Sequence, residues 1–166
     1  MARVHLEPWG PDDLPLVEQL MGDPAMTEFL GGPESAEKLA DRQRRYAEPA
    51  SGMFKIVDEE TGEGVGSVGF WEREWQGETV YETGWSVIPA FQGRGIAADA
   101  TRQALELAKQ TNKHRWVHAY PKVENAPSNA ICRKLGFEFC GAHDFEYPPG
   151  NPIRCNDWRY DLTGSG

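Results

Sequence analysis

Val87-Ile88-Pro89-Ala90-Phe91-Gln92-Gly93-Arg94-Gly95-Ile96-Ala97 is the stretch on which the reading of this chain turns. The β-branched pair at its start suits the end of a strand, and Pro89 stops that strand. Ala97, Ala100, Ala104 and Leu107 then recur at helical spacing, which predicts a helix over 96–109. Gly93 and Gly95 sit at the junction. The first amides of a helix have no partner within it, and the aligned peptide dipoles place partial positive charge there. Glycine lets an anion come within hydrogen-bonding distance of such amides, so the stretch reads as a phosphate cradle. Arg94 adds charge, and small Ala97 and Ala98 leave room for a ligand. No Gly-Lys-Ser/Thr follows, so the lysine and magnesium-binding hydroxyl of a nucleoside triphosphatase are missing. The expectation is a diphosphate that is bound and not cleaved.

Upstream, Met53 to Val57, Val65 to Trp71 and Val80 to Val87 have strand character, separated by turn chemistry at 58–64 and a polar connection at 72–79. They predict an antiparallel meander. Before it, Val4-His5-Leu6 is extended, and a helix opens at Pro11-Asp12-Asp13 with Leu14, Val17, Leu20 and Met21 on one face. Asp23-Pro24 suggests a second short helix, and 35–46 a third. Downstream, after the helix over 96–109, come a strand over 116–120, a helix over 127–135, a strand over 137–140, a loop at 147–152 and a last strand over 157–162. A meander feeding a βαβ unit gives an α/β domain with a mixed sheet flanked by helices. One domain over 1–163, with a flexible tail at 164–166, accounts for all 166 residues.

Gly64, Gly66 and Gly69 satisfy G-x-G-x-x-G, the dinucleotide-binding pattern. That pattern works where the glycines join a strand to a helix, and here Val65, Val68, Phe70 and Trp71 continue a strand. The glycines are better read as permitting a bulge or a close backbone approach.

The formal net charge of -9 argues against an electrostatic grip on nucleic acid or an anionic membrane and favours a cationic substrate. Three cysteines, none in a C-x-x-C, suggest neither a disulfide framework nor a zinc site, and four scattered histidines form no metal-ligand pattern. No apolar run is long enough to span a membrane, and residues 1–10 hold no apolar signal core. A cytoplasmic protein, without metal, membrane or nucleic-acid partner and present as a monomer or homodimer, is expected.

Gln92-x-x-Gly95-x-Ala97 resembles the Q/R-x-x-G-x-G/A acyl-CoA signature of the GNAT N-acetyltransferase superfamily. Asn125-Ala126-Pro127-Ser128, continuing to Lys134-Leu135-Gly136-Phe137, resembles the N-x-x-S and K-L-G-F segment of that family. Glu82-Thr83-Gly84-Trp85 is similar to the E-x-G-Y/W strand of its ribosomal-protein N-terminal acetyltransferase branch. The resemblance implies a GNAT-like fold and acetyl-CoA as the acyl donor. It further implies that Val87, Ile88, Gln92, Gly93, Arg94, Gly95, Ile96, Ala97, Asn125 and Ser128 contact the cofactor. Leu135-Gly136-Phe137 also has a purely physical reading, in which Gly136 closes a helix in the left-handed conformation.

The implied reaction is direct attack of an amine on the thioester, across the strands over 80–87 and 116–120. An alkylammonium with a pKa of ~10 must first lose its proton, and Glu82 is the candidate base. A free amide at Val87 or Ile88 would serve the thioester oxygen. The family's proton-donating tyrosine is replaced by Cys132, which leaves Ser128 to contact the thiol, with Tyr120 in reserve. No base is evident in sequence to make Cys132 a nucleophile. Trp85 and Phe145, with Glu82, are expected to bind the acceptor; Trp71, Trp75, Tyr147, Trp158 and acids such as Glu72, Glu74, Asp144 and Asp157 are placed near them. A small amine (aminoglycoside, polyamine or amino acid) and a protein or peptide N-terminus both fit. The alternative from another class is a non-catalytic acyl-CoA-binding sensor.

Overall fold

Alternating patterns from residue 53 onward become strands in the structure, a computed structural model that describes residues 3–164. The expected tail at 164–166 falls largely outside the described residues. The strands are β1 (Val4–Pro8), β2 (Met53–Asp58), β3 (Gly64–Trp75), β4 (Glu78–Val87), β5 (Trp116–Ala119), β6 (Glu138–Glu146) and β7 (Pro152–Asp161). The helices are α1 (Leu14–Met21), α2 (Ala36–Tyr46), α3 (Ile96–Thr111) and α4 (Ala126–Lys134), with a 3-10 turn at Pro89–Phe91. The sheet order is β1-β2-β3-β4-β5-β7-β6. β4 and β5 pair in parallel, at Tyr81↔Val117 and Glu82↔His118, whereas β1–β2, β2–β3, β5–β7 and β6–β7 are antiparallel. The chain has the mixed α/β architecture expected of it. It divides into two compact units: Met1–Gly69 with Trp85–Thr101, and Phe70–Gly84 with Arg102–Gly166.

In the first unit, Trp9, Leu16, Val17, Leu20, Met21 and Leu39 form a buried cluster. The Trp9 indole N–H needs a partner there and donates to Gln43 Oε1 at 2.7 Å, so a buried glutamine joins the apolar helix face. Ser35 caps α2 by accepting from the Lys38 amide. α1 starts at Leu14, not Pro11, because Asp13 Oδ2 takes the Gly10 amide at 2.7 Å and Asp13 itself becomes the cap residue. The helix expected at Asp23-Pro24 does not form. The Asp23 carbonyl gathers the Met26 and Thr27 amides and the Thr27 hydroxyl, and Gly31 and Gly32, at φ +91° and +98°, end the turn.

In the second unit, the segment 72–79 is a tight hairpin and not a polar loop. Gln76 and Gly77 both have positive φ, +50° and +83°, as a two-residue turn matching strand twist requires. β6 and β7 also run longer than expected. β6 is the terminal strand of the sheet and largely exposed, so the apolar alternation that marks a buried strand is weak in it.

The Ile88 amide bonds Val65 O at 2.9 Å where β4 ends. Glu82 shares a face with Arg73, whose Nη1 it meets at 2.8 Å, and strand alternation puts Tyr81 on the other. Close approach explains the glycine pattern in β3: a Cβ at Gly66 would strike Ser86 O, and one at Gly69 would strike Gly52 O at 2.6 Å. The dinucleotide reading is excluded by this strand context.

Candidate active site

The loop that enters α3 belongs to the first unit. Gln92 donates its backbone amide to Pro89 O at 3.2 Å and its side-chain Nε2 to Val87 O at 2.9 Å. Beyond it, Gly93 and Gly95 both adopt φ +76°, and a Cβ on either would meet nothing within 4 Å. Among the described residues, the amides of Gly93, Arg94, Gly95, Ile96 and Ala97 have no acceptor in the protein. The Gly95 carbonyl accepts from Asp99 as the first turn of α3 closes. Successive amides leading into the positive end of a 16-residue helix are an arrangement that favours an anion. Arg94 is exposed beside it, its guanidinium 4.9 Å from the Phe91 ring centre.

Gln92 thus braces the loop through its backbone amide and its side-chain Nε2. One expectation changes. Ile88 cannot be the free amide, because Val65 O holds it. Successive amides of a strand point to opposite edges, which turns the Val87 amide away from β3.

The Glu82 face lies in the second unit. Glu82 Oε1 accepts from Arg73 Nη1 at 2.8 Å, with side-chain exposures of 22% and 32%. The Arg73 guanidinium lies 4.7 Å from the Tyr120 ring centre, 5.3 Å from Trp75 and 5.4 Å from Phe145. Trp75 and Phe145 stack with an interplanar angle of 13°, and Tyr120 tilts against both. Beside them His118 stacks on Tyr120 and its Nδ1 lies 2.6 Å from Asp157 Oδ1, both side chains being buried. The Trp75 indole N–H donates to the other oxygen of Asp157 at 3.2 Å. The Tyr120 hydroxyl is buried and has no hydrogen-bond partner among the described residues, and burial pushes its pKa above the ordinary phenol value.

Phe145 joins this face, and the Trp71 ring lies 3.3 Å from where a Gly84 Cβ would stand. Glu72 pairs with Lys113 at 2.7 Å. Trp158 belongs under α4, where its indole N–H donates to Asn129 Oδ1.

At the start of α4, Asn125 Oδ1 caps the helix by accepting the Ser128 amide at 3.3 Å, leaving the Asn125 Nδ2 group unspent. The Phe137 amide bonds Cys132 O and Gly136 has φ +87°, the helix-closing geometry of a packing motif. Cys132 is fully buried and its thiol pKa is pushed up to about 12 by that burial, the opposite of an activated nucleophile.

Arg73, His118 and Asp157 escaped the sequence reading as a group. They lie on β3, β5 and β7, and nothing short of strand pairing brings them together. The alternation of Arg73 with Trp75 was the one local signal.

The family model for the acetyltransferase (GNAT) domain matches residues 3–138, and the chain belongs to that family. It is 37% identical over 76 residues to YnaD, an uncharacterized N-acetyltransferase of Bacillus subtilis (strain 168). That match takes in 45% of this chain and 44% of the relative, so it spans under half of either. A GNAT-family acetyltransferase from Bacillus anthracis superposes with TM-score 0.83 at 20% identity, covering 99% of this chain and 100% of that one. Spermidine N-acetyltransferase from Vibrio cholerae, in complex with CoA and spermine, gives 0.79 at 16% identity and 96% of both chains. At such identities the likeness is one of fold.

Proposed function

We propose that this chain transfers an acetyl group from acetyl-CoA to a primary amine, the acceptor being a small amine or a peptide N-terminus. The run of unbonded amides from Gly93 to Ala97 carries this reading. Those amides fit the diphosphate of a coenzyme, and no side chain fills the space beside Gly93 or Gly95. Bound there, acetyl-CoA would supply an acyl group activated as a thioester. The Asn125 Nδ2 group suits an amide of the pantetheine arm, and the Val87 amide suits the thioester oxygen. Glu82 receives the proton of the acceptor ammonium, which at a pKa of ~10 is not nucleophilic at neutral pH. Ser128 is assigned to contact the thiol. Tyr120 is the reserve donor, its unpartnered hydroxyl remaining protonated because burial disfavours the phenolate. Three free cysteines accord with a reducing, cytoplasmic setting.

A thiol-release screen of amines and short peptides with acetyl-CoA tests the reaction. Glu82→Gln should lower kcat by roughly 10²- to 10⁴-fold while CoA affinity, measured by calorimetry, stays unchanged. Full turnover by Glu82→Gln would remove the base assignment. Tight CoA binding without thiol release from any acceptor would replace the enzyme reading with that of an acyl-CoA sensor.

A further inference from the structure

The Arg73–Glu82 pair is incomplete in a way that points to a substrate. One nitrogen of the guanidinium meets one oxygen of the carboxylate. Among the described residues, Arg73 Nε and Nη2 have no acceptor and Glu82 Oε2 has no donor. Both side chains remain partly open to solvent, at 32% and 22% exposure. The pair thus presents an unused cationic edge beside an unused anionic one.

The aromatic cluster around it would ordinarily suit a cation, but it already holds one. Tyr120, Trp75 and Phe145 all lie within 5.4 Å of the Arg73 guanidinium carbon. A purely cationic acceptor could reach Glu82 Oε2 only beside the uncompensated charge of Arg73, and it would find the aromatic faces already taken by that guanidinium. Asp157, the neighbouring carboxylate, is no substitute, since it is buried and engaged by His118 and the Trp75 indole. An acceptor that carries its own carboxylate next to the amine meets no such competition. Its ammonium can bond Glu82 Oε2 while its carboxylate takes the free N–H groups of Arg73, the fork that recognises carboxylates best.

Resting on the acetyltransfer reading above, we infer that the acceptor is an amino acid or a similar zwitterionic amine, and that Arg73 determines this specificity by binding the acceptor carboxylate. Polyamines and peptide N-termini, which have no carboxylate beside the amine, are then poor acceptors.

The test uses matched pairs, such as phenylalanine with phenethylamine and leucine with isoamylamine, plus an amino acid amide and a tripeptide, followed by thiol release from acetyl-CoA. The expected result is that the full chain prefers the amino acid over its decarboxylated partner by about 10- to 100-fold in kcat/KM, seen mainly in KM. Arg73→Gln should collapse that ratio towards one. Arg73→Lys, which keeps the charge but loses the fork, should retain part of it and guards against a folding defect in the first variant. Equal or better turnover of the decarboxylated amine, the amide or the tripeptide by the unmodified chain would overturn this inference and leave acetyltransfer standing. So would a ratio unchanged in folded Arg73→Gln. Absence of thiol release with every acceptor would overturn both.

Discussion

Replacing Gly95 with alanine separates backbone strain from ligand recognition, because the structure provides a matched control. Gly95 has φ +76° and an added Cβ would meet nothing within 4 Å; Gly62, in the turn after β2, has φ +74° and equally open space. With no collision at either site, the stability cost of alanine is the left-handed backbone alone, about 1–2 kcal/mol. For a chain of this size that is a fall of roughly 2–8 °C in Tm, and it should be the same for Gly95→Ala and Gly62→Ala. CoA binding should divide them. A Cβ at position 95 would enter the open space beside the glycine amides, and the loss of one hydrogen bond to a charged phosphate there would weaken binding by about 10- to 100-fold. Gly62→Ala should bind CoA as the unsubstituted chain does. Urea unfolding gives the first quantity and isothermal calorimetry with CoA the second. If Gly95→Ala bound CoA within about twofold of the unsubstituted chain, or Gly62→Ala weakened binding equally, residues 93–97 would not be the diphosphate site.

Asn129 is expected to matter for stability more than any polar residue near the site. Its Nδ2 donates to Lys122 O and Asn125 O, and its Oδ1 accepts from Asn156 Nδ2 and the Trp158 indole. Asn129→Ala strands several of these groups in a buried setting, and should lower stability by about 3 kcal/mol or more, or roughly 6–12 °C in Tm, checked by calorimetric melting. Thiol labelling at pH 8 should modify exposed Cys140 rapidly, with buried Cys132 and Cys155 reacting at the rate of unfolding. The same burial sets a pH dependence. The native chain keeps the Cys132 proton up to about 12, whereas an unfolded thiol loses it near its ordinary value of 9.0. That contribution to stability is complete below pH ~9 and declines as pH rises towards ~12, which urea midpoints across that range would register and Cys132→Ser would diminish.

The glycine turn from strand to helix over residues 87 to 97 was legible because its chemistry is local. A strand end, a proline, two glycines and an alanine-rich helix start each act on their immediate neighbours, and the free amides follow from helix geometry. Helix ends at Ser35 and Gly136 were readable for the same reason. The Glu82 face was not. Which side chain of the neighbouring strand faces Glu82 depends on register, and its Arg73 partner depends on a hairpin whose Gln76-Gly77 turn resembles a polar loop in sequence. His118 looked like one of four scattered histidines until β5 paired with β7 and set it against Asp157, 39 positions away. Side-chain spacing along a chain reports which face of an element is apolar, whereas the partner of a charge on that face is chosen by sheet order and register, which link residues far apart in sequence.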